Sequence, residues 1–470
     1  MSSQNKLQRL FKMNSEDRTR ATSYTTEVLQ PLTNTGTYLR YKIERKNWLD
    51  GHSARLAPVI TVDGADSWST NTSGVFAPFE SCTLYFGGTQ VQSINLKASN
   101  FLVQKMRGSD LFRVPSEQRY VYGMQNEFVE TCGNNVSLDH NQLQFVPDQS
   151  VKYTTSAATT YELMLHLKDI FDFFDHSNIP LYALDADIFI EFTLKSSANV
   201  GQIAILDTSN NSLSTGYQIS SAPLYVNYVR YDDETWNRLK NQDFVKNVTT
   251  VKATSRAPGS GSTQVEQALA NNQVKRVTVA FPVDSSCMGV DNSYLRGSSG
   301  QECRIQLRSN GDEFWNQPLD LNRGYAGTMY SMTKEAHEGH FYAEPGSYVD
   351  GTNLGTVASI LDTCINGPYE NGGTIRRNPW GGSTYSEIGG KNSYVCFPFQ
   401  KDPRDGHSFM NSTRMDDKPV VLEVTHATGI SCDSVVMYAE TERICQIQPN
   451  GRVQLLDGLP DGEMAGPSRM

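Results

Sequence analysis

The sequence predicts an all-β protein built from two antiparallel β-sandwiches or barrels that are joined near the middle of the chain. Most periodic segments alternate apolar and polar residues with a period of two, turn residues separate these segments, and helical patterns are few and short. A chain of 470 residues is also too long for one ordinary core. Two domains are therefore expected.

In the first half, strand patterns flank a glycine pair. The segment Ser81–Leu96 places strand residues on both sides of Gly87 and Gly88, which suit the tight turn of a hairpin. Asp185–Leu194 alternates apolar and polar residues, as a strand with one buried face does. The best helical pattern lies in Tyr161–Asp175, shortly before a proline.

A strand that runs into a helix marks the midpoint. Leu224–Val229 alternates with a period of two, and the pattern then stops. Asp232 can accept hydrogen bonds from free amides at a helix start, and Glu234 suits the positive end of the helix dipole. Trp236 and Leu239 lie three apart, on one helical face. A short helix is expected to pass the chain from one sandwich to the next.

The second half repeats the strand patterns with larger insertions. Val274–Val283 alternates, and Val435–Leu456 holds two strands around a turn at Asn450 and Gly451. Val245–Asn272 is polar, and its Pro-Gly-Ser-Gly-Ser core predicts a flexible loop. We therefore expect a first domain with the linker helix at 21–240 and a second domain at 241–456, with an arm at 1–20 and a tail at 457–470.

Composition limits the class of protein. The chain has a net charge of −10, which opposes wrapping of nucleic acid and predicts no sequence-specific nucleic-acid binding. It contains no long apolar run and no signal-peptide pattern, so assembly in a cytosolic or nuclear compartment is expected. Sequons at Asn71, Asn247 and Asn411 predict polar loops. The eight scattered cysteines predict reduced thiols used as small core residues: Cys82, Cys132, Cys287, Cys303, Cys364, Cys396, Cys432 and Cys445.

Basic residues are concentrated in the N-terminal arm, where they outnumber Glu16 and Asp17. Leu7, Leu10 and Phe11 would share one face if the arm were helical, so this segment could lie on a partner protein or on an anionic membrane. A frayed terminus is the alternative interpretation. The basic residues are Lys6, Arg9, Lys12, Arg18 and Arg20.

Catalytic motifs are largely absent. The segment that ends in Lys391 lacks the first glycine and the hydroxyl residue of a phosphate-binding loop, and no G-x-S-x-G motif occurs. Asp185 and Asp187 lie two apart in a strand pattern and could act together in hydrolysis. Such acids are more often the solvated face of a strand or its flank.

Two further groups could bind ligands. His337 and His340 could form a metal-ligand pair, although two loop histidines without a ligand fit the turn-like surroundings better. Asn378–Trp380 could stack on a sugar or a base, but a glycine-flanked tryptophan more often anchors a loop. We therefore predict no catalytic, cofactor-binding or metal-ligating residue.

Segments in both halves resemble the double jelly-roll major capsid proteins of tailless double-stranded DNA viruses. Within that family, the chain is most similar to a small polinton-like member. Three matches are "IPLYALDADIFIEF" (Ile179–Phe192), "APLYVNYVRYDDETWNRL" (Ala222–Leu239) and "FPFQKDPRDGHSFMNSTRMDDKPVVLEV" (Phe397–Val424). The last contains Phe409, Asn411, Ser412, Arg414 and Asp416 of the family's element. A fainter match is "FAPFESCTLYFGGTQV" (Phe76–Val91).

This resemblance implies two consecutive eight-stranded antiparallel jelly rolls joined by a short helix, with long loop insertions. It implies a homotrimer whose six sandwiches form a pseudo-hexagonal capsomer that tiles an icosahedral virion, with the glycine-rich Asn366–Ser393 as an outer tower. The implied partners are neighbouring capsomers, minor capsid and penton proteins, and an inner membrane or minor protein at the arm. No enzyme activity is implied.

Two other functions are compatible with the sequence. A double-sandwich hydrolase acting on glycans would use an acidic cluster such as Asp185 and Asp187 in the groove between domains, although that class is normally secreted. A vertex or receptor-binding protein of the virion also uses jelly rolls, usually one per chain. Oligomeric state and particle shape distinguish these functions from a shell protein.

Overall fold

The computed structural model is described for residues 21–62, 67–68, 74–107, 153–154, 159–176, 178–196, 217–241, 243–280, 303–309, 312–313, 318–320, 394–399, 412–415, 419–426 and 434–456. Several predictions concern residues outside these ranges. They are the arm at 1–20, the tail at 457–470, His337 and His340, Asn378–Trp380, Lys391, and the glycine-rich segment 366–393.

The described residues form mainly strands, as the sequence predicts. The strands of the first half are β1 Ala21–Leu29, β2 Thr33–Asn34, β3 Tyr38–Ile43, β4 Trp48–Leu56, β5 Val59–Val62, β6 Ser67–Trp68, β7 Phe79–Phe86, β8 Thr89–Ile94, β9 Tyr153–Thr154, β10 Thr159–Glu162, β11 Leu165–His166, β12 Ile188–Leu194, β13 Tyr217–Ser221 and β14 Leu224–Tyr231. Those of the second half are β15 Phe244–Arg256, β16 Ser262–Gln267, β17 Gln273–Ala280, β18 Cys303–Ser309, β19 Asp312–Glu313, β20 Leu319–Asp320, β21 Tyr394–Pro398, β22 Thr413–Arg414, β23 Val420–His426, β24 Val435–Ile447 and β25 Val453–Leu456.

Helices are short within the described ranges. The α-helices are α1 Ala98–Arg107, α2 Leu167–Ile170 and α3 Asp233–Leu239, and the 3-10 helices are Gly74–Phe76, Asp172–Phe174 and Leu181–Ala183. None of these helices is long and apolar enough to cross a membrane.

Each half shows the strand order of a jelly roll. In the first half, one sheet runs β1-β14-β4-β11 and the other runs β3-β12-β7-β8. In the second half, the corresponding sheets run β15-β24-β17-β21 and β16-β23-β18-β19. Numbering the strands of each pair of sheets from one to eight in chain order gives 1-8-3-6 in one sheet and 2-7-4-5 in the other, in both halves. Two interlocked Greek keys produce this order.

The two jelly rolls are joined along a sheet. Strand β8 of the first half pairs in parallel with β15 of the second through Ile94 and Val251, so that an 11-stranded sheet runs through both halves. Buried apolar side chains from both halves form one contiguous cluster. The two halves therefore share buried apolar surface where they meet.

The turns follow the sequence predictions. Gly87 has a φ of 56° in the β7–β8 hairpin, and Gly451 has a φ of 88° in the β24–β25 turn; glycine adopts such values readily. Asp232 caps α3, because its Oδ1 accepts a hydrogen bond from the Thr235 amide at 2.7 Å. The strand-to-helix transition is thus confirmed.

The predicted helix in Tyr161–Asp175 is wrong for most of its length. Leu163, Leu165 and Leu167 are buried at alternate positions, so the period of two dominates and β10 and β11 pair with strands of the first half. Only α2 and one 3-10 turn are helical within this segment.

The Pro-Gly-Ser-Gly-Ser core of Val245–Asn272 falls at the connection between two strands, and the residues on both sides of it are strands. Val and Thr residues favour the extended conformation of β15, and β16 follows after a turn at 257–261. Asn247 lies within β15, so the prediction that its sequon marks a loop is wrong. The sequons at Asn71 and Asn411 lie outside the described residues.

Strand β17 is confirmed, and it is buried on both faces. Thr278 and Val279 are both buried, as are most residues of the strand.

Three cysteines, Cys82, Cys396 and Cys445, are buried core residues, as predicted. Burial raises the pKa of Cys396 and of Cys445 to about 12, so these thiols stay protonated.

Candidate functional site

At the junction between the two jelly rolls, side-chain amides of the first half form hydrogen bonds with main-chain groups of β15. Gln92 on β8 donates from Nε2 to the carbonyl of Thr249 on β15 at 3.0 Å, and its Oε1 accepts from the Phe173 amide at 2.9 Å. Asn95 accepts from the Ala253 amide at 2.8 Å. These bonds extend the contact beyond the single parallel bridge. They fix the register between the halves.

An ionic contact lies beside these amides. Lys246 at the start of β15 donates to the Asp175 carbonyl at 2.7 Å and lies 3.9 Å from the Asp175 carboxylate. The His176 ring packs edge-on against Phe244, with 4.9 Å between the ring centroids. Burial, with the nearby charges of Lys246 and His52, lowers the pKa of His176 to about 3. His176 is therefore neutral at neutral pH.

Helix α1 and its preceding turn contact the last long strand. Lys97 donates to the Ser434 hydroxyl at 3.0 Å, and the Tyr438 hydroxyl donates to the Lys97 carbonyl at 3.1 Å. Phe101 packs against the Tyr438 ring at 5.4 Å between centroids. These contacts hold the first half against β24 and the residue before it.

The β24–β25 turn of the second half also contacts the first half, at the loop before β12. The Asp185 amide donates to the Gly451 carbonyl at 3.3 Å. A Cβ atom at Gly451 would lie 2.5 Å from the Ala183 carbonyl oxygen and 3.0 Å from the Asp185 nitrogen. Only a glycine therefore permits this approach.

The predicted acidic pair has structural partners. Asp187 lies 3.0 Å from Lys42 Nζ and 3.5 Å from Arg45 Nε, and its carbonyl accepts from the Gly87 amide at 2.9 Å. The Asp185 carbonyl accepts from Arg45 Nη1 at 2.8 Å. These contacts hold the loop before β12. Across the described ranges, no group of three or more His, Cys, Asp or Glu residues could hold a metal ion.

A buried polar network crosses the second jelly roll. Arg276 on β17 forms an ion pair with Glu440 on β24, and both side chains are at least nine-tenths buried. Glu442 accepts from the Ser412 hydroxyl at 2.7 Å and from Asn247 Nδ2 at 3.0 Å. Ser412 belongs to the segment that resembles capsid proteins, and its position gives that segment a structural role.

The linker helix is anchored by aromatic rings. Trp48 on β4 packs against Tyr182, Tyr231 and Trp236, with centroid separations of 5.0, 5.6 and 6.1 Å. Tyr182 and Trp236 also stack on each other at 4.4 Å. The Tyr231 hydroxyl donates to Asn178. We call Trp48, Tyr182, Val229, Tyr231 and Trp236 the hinge cluster.

Strand β1 carries an exposed apolar edge. It pairs with β14 on one side and ends its sheet on the other. Tyr24, Val28 and Leu32 are 51%, 50% and 60% exposed, and they are the exposed large hydrophobic residues among those described. Exposed apolar residues at a sheet edge indicate an interaction surface.

Sequence reasoning missed most of these contacts. The pairs Gln92–Thr249, Lys246–Asp175 and Arg276–Glu440 join residues 157, 71 and 164 positions apart, and no local pattern connects them. The glycine of the Asn450-Gly451 turn was the one available signal, and it indicated a turn rather than a contact between the halves.

The strand order and the joined sheets define the class: the chain has the double jelly-roll fold. No protein-family model and no curated protein matches the sequence. Solved structures do match over nearly the whole length. A chain of the Sputnik virophage, determined by cryo-EM, aligns with a TM-score of 0.59 and 10% identity over 96% of this chain and 91% of that chain.

Two further structures are similar. The mavirus major capsid protein aligns with a TM-score of 0.53 and 9% identity, over 95% of this chain and 93% of that one. VP54 of PBCV-1, fitted into a reconstruction of the virophage Sputnik, gives 0.52 and 11%, over 93% and 97%. The fold predicted from the resemblance is thus confirmed, and the structural neighbours are double jelly-roll major capsid proteins.

Proposed function

We propose that this chain is a major capsid protein of a tailless double-stranded DNA virus. The proposal depends mainly on one observation: both halves have the strand order of a jelly roll, and the two sandwiches are joined side by side through one sheet. A rigid pair of similar units is the shape that a trimer needs to present six units around its axis. The fold shared with the virophage and PBCV-1 proteins supports it.

The proposed mechanism is assembly rather than catalysis. Three copies form a pseudo-hexagonal capsomer, and capsomers tile an icosahedral shell together with minor capsid and penton proteins. An obligate interface of this kind buries on the order of 2,000–5,000 Å². The exposed Val28 on β1 and Leu32, which follows β1, supply apolar surface for the contact between copies.

The remaining assignments follow from this role. The domains are 21–240 and 241–456, the segment 366–393 is the outer tower, and the arm faces an inner membrane or a minor protein. The protein resides in the virion after assembly in the host cytoplasm or nucleus. The charge of −10 fits a shell wall that does not bind nucleic acid sequence-specifically.

Neither alternative function gains support from the described residues. A glycan hydrolase would need a carboxylate pair available to substrate, whereas Asp187 is paired with Lys42 and Arg45. A vertex or receptor-binding protein usually carries one jelly roll per chain, and this chain carries two.

Size-exclusion chromatography with light scattering tests the proposal. A trimer has a mass of roughly 157 kDa, which is three times 52.3 kDa. Negative-stain images should show hexagonal tiles. A compact 52.3 kDa monomer with no tiles would contradict the proposal.

A pair of variants tests the contact surface. Val28→Asp on β1 with Leu32→Asp in the segment after it places charge on two exposed apolar positions and should yield monomers that remain folded. Ser262→Asp with Gln264→Asp is the matched control, because both residues are exposed on β16, which is also an edge strand. If the two variants had the same oligomeric state, Val28 and Leu32 would not contribute to the interface between copies.

A further inference from the structure

The hinge cluster borders an exposed surface that is both aromatic and acidic. Tyr24 on β1 pairs with Val229 on β14, which pairs with Trp48 on β4, so the three side chains lie on one face of the sheet. Tyr182 and Trp236 are half-buried and Tyr24 is 51% exposed. The aromatic surface therefore continues from the linker helix to the first strand.

Two carboxylates lie at the edge of this surface. Asp233 and Glu234 in the first turn of α3 are exposed, and neither forms an ion pair with a described residue. The cap of the helix uses Asp232 instead. We call Tyr24, Tyr182, Trp236, Asp233 and Glu234 the hinge patch.

The hinge cluster also contains an unsatisfied donor. The Trp48 side chain is 4% exposed, and its indole Nε1 has no hydrogen-bond acceptor among the described residues. A buried donor without an acceptor destabilises the folded chain.

The chain itself provides a suitable segment at this position. Ala21 pairs with Tyr231, so residues 1–20 join the described structure directly beside the hinge cluster. Arg20 and Arg18 are one and three residues from Ala21, which in an extended chain is within about 10 Å. The arm also carries Lys6, Arg9 and Lys12 and the apolar residues Leu7, Leu10 and Phe11.

We propose that residues 1–20 of each chain dock on that chain's own hinge patch, with arginines beside Asp233 and Glu234 and apolar side chains against Tyr24, Tyr182 and Trp236. The proposal rests on the place where the arm joins β1 and on the complementary charges. It is independent of the capsid function, and it is an alternative to a contact of the arm with an inner membrane or a minor protein. Docking in the same chain needs no second copy, because the attachment point and the patch adjoin each other.

Limited chymotrypsin digestion of the full-length protein tests the docking. Cleavage after Phe11, followed by mass spectrometry, reports how often the arm is released, because proteolysis follows the population of the open form. Asp233→Lys with Glu234→Lys should accelerate this cleavage about tenfold, and Arg18→Glu with Arg20→Glu should do the same. Combining all four substitutions should return cleavage to within about twofold of the original rate.

Matched controls separate docking from other effects. Tyr24→Ser should accelerate cleavage, whereas Gln218→Ser, at an exposed residue of β13 outside the patch, should not. Glu266→Lys, at an exposed acid on β16, should also leave the rate unchanged. Thermal unfolding of each variant verifies that the jelly rolls remain folded. Equal cleavage in the original protein and in both charge-reversed variants would overturn the proposal.

Coexpression identifies which chain supplies the arm. When the Arg18→Glu/Arg20→Glu chain is produced together with the Asp233→Lys/Glu234→Lys chain, docking within each chain leaves both arms open to cleavage. Protection restored in the mixed assembly would show that an arm docks on a neighbouring copy, and this result would overturn the proposal.

Discussion

Gln92 and Thr249 join the two jelly rolls through a 3.0 Å hydrogen bond between a side chain of one half and a main-chain carbonyl of the other. The same side chain accepts from Phe173 at 2.9 Å, and it is 2% exposed. One residue therefore ties strand β8, strand β15 and the 3-10 turn at Asp172–Phe174 together. Its removal is the most direct test of how the junction is stabilised.

Gln92→Leu retains similar volume but removes both hydrogen bonds and leaves the Phe173 amide without its partner. We expect a loss of about 1–3 kcal/mol in the free energy of unfolding, measured by urea denaturation. Gln218→Leu on β13 is the control, because Gln218 is exposed and should shift the free energy by less than about 0.5 kcal/mol. Equal losses for both variants would show that the Gln92 bonds do not stabilise the junction.

Gly451→Ala and Gly36→Ala form a matched pair. Their φ angles are 88° and 80°, so both substitutions carry the left-handed penalty of about 1–2 kcal/mol. A Cβ atom at position 36 meets nothing within 4 Å, whereas at 451 it would lie 2.5 Å from the Ala183 carbonyl oxygen. Gly451→Ala should therefore lower the melting temperature more. A smaller effect at 451 than at 36 would exclude a stabilising role for this contact.

Acid should weaken the junction through His176. Its folded pKa of about 3 lies below the ordinary 6.5, so the unfolded chain binds the proton more readily. The stabilisation is complete above pH 6.5 and is lost as the pH falls toward 3. Between pH 7.5 and 4.5 the contribution to the free energy of unfolding should fall by about 3 kcal/mol.

Urea denaturation at both pH values measures this change. His176→Gln has no group that titrates in this range and should show a correspondingly smaller pH dependence. The carboxylate of Asp172 acts in a lower range. Burial raises its pKa, but the Lys105 ammonium, with further hydrogen bonds, outweighs burial and holds the pKa at about 2. If His176→Gln had the same pH dependence as the original protein, protonation of His176 would not be the cause of the loss of stability in acid.

The Arg276–Glu440 pair should behave as a buried ion pair. Glu440→Leu alone removes the carboxylate that pairs with this buried guanidinium and should cost about 3–5 kcal/mol of unfolding free energy. Arg276→Met combined with Glu440→Leu removes both charges and should recover most of that loss. Urea denaturation of the single and double variants gives the coupling energy. A double variant no more stable than Glu440→Leu would indicate that Arg276 has other partners of similar strength.

Local patterns predicted the fold wherever the cause of structure is local. The glycine pair at Gly87 and Gly88, the cap at Asp232 and the turn at Gly451 depend on backbone freedom or on neighbouring residues, and all are present. The Tyr161–Asp175 helix was wrong because leucines at alternate positions pack into the first sandwich, and this packing outweighs a modest helical tendency.

The junction could not be predicted in the same way. Gln92 resembles any polar strand residue in the sequence, and its role depends on Thr249, which lies 157 residues away. Asp185 and Asp187 indicated hydrolysis because two strand acids share a face. Their main-chain bonds to Gly451 and Gly87, and the ion pairs of Asp187, become visible only in the folded chain.

Because the sheet is continuous across both halves, the order in which the polypeptide connects the two sandwiches can be changed. Hydrogen bonds between β8 and β15 hold the two sandwiches together in addition to the covalent link through α3. Opening the backbone just after Lys240 should therefore leave the geometry of the pair intact. A circular permutant that begins at this break would inherit both sandwiches in their original arrangement.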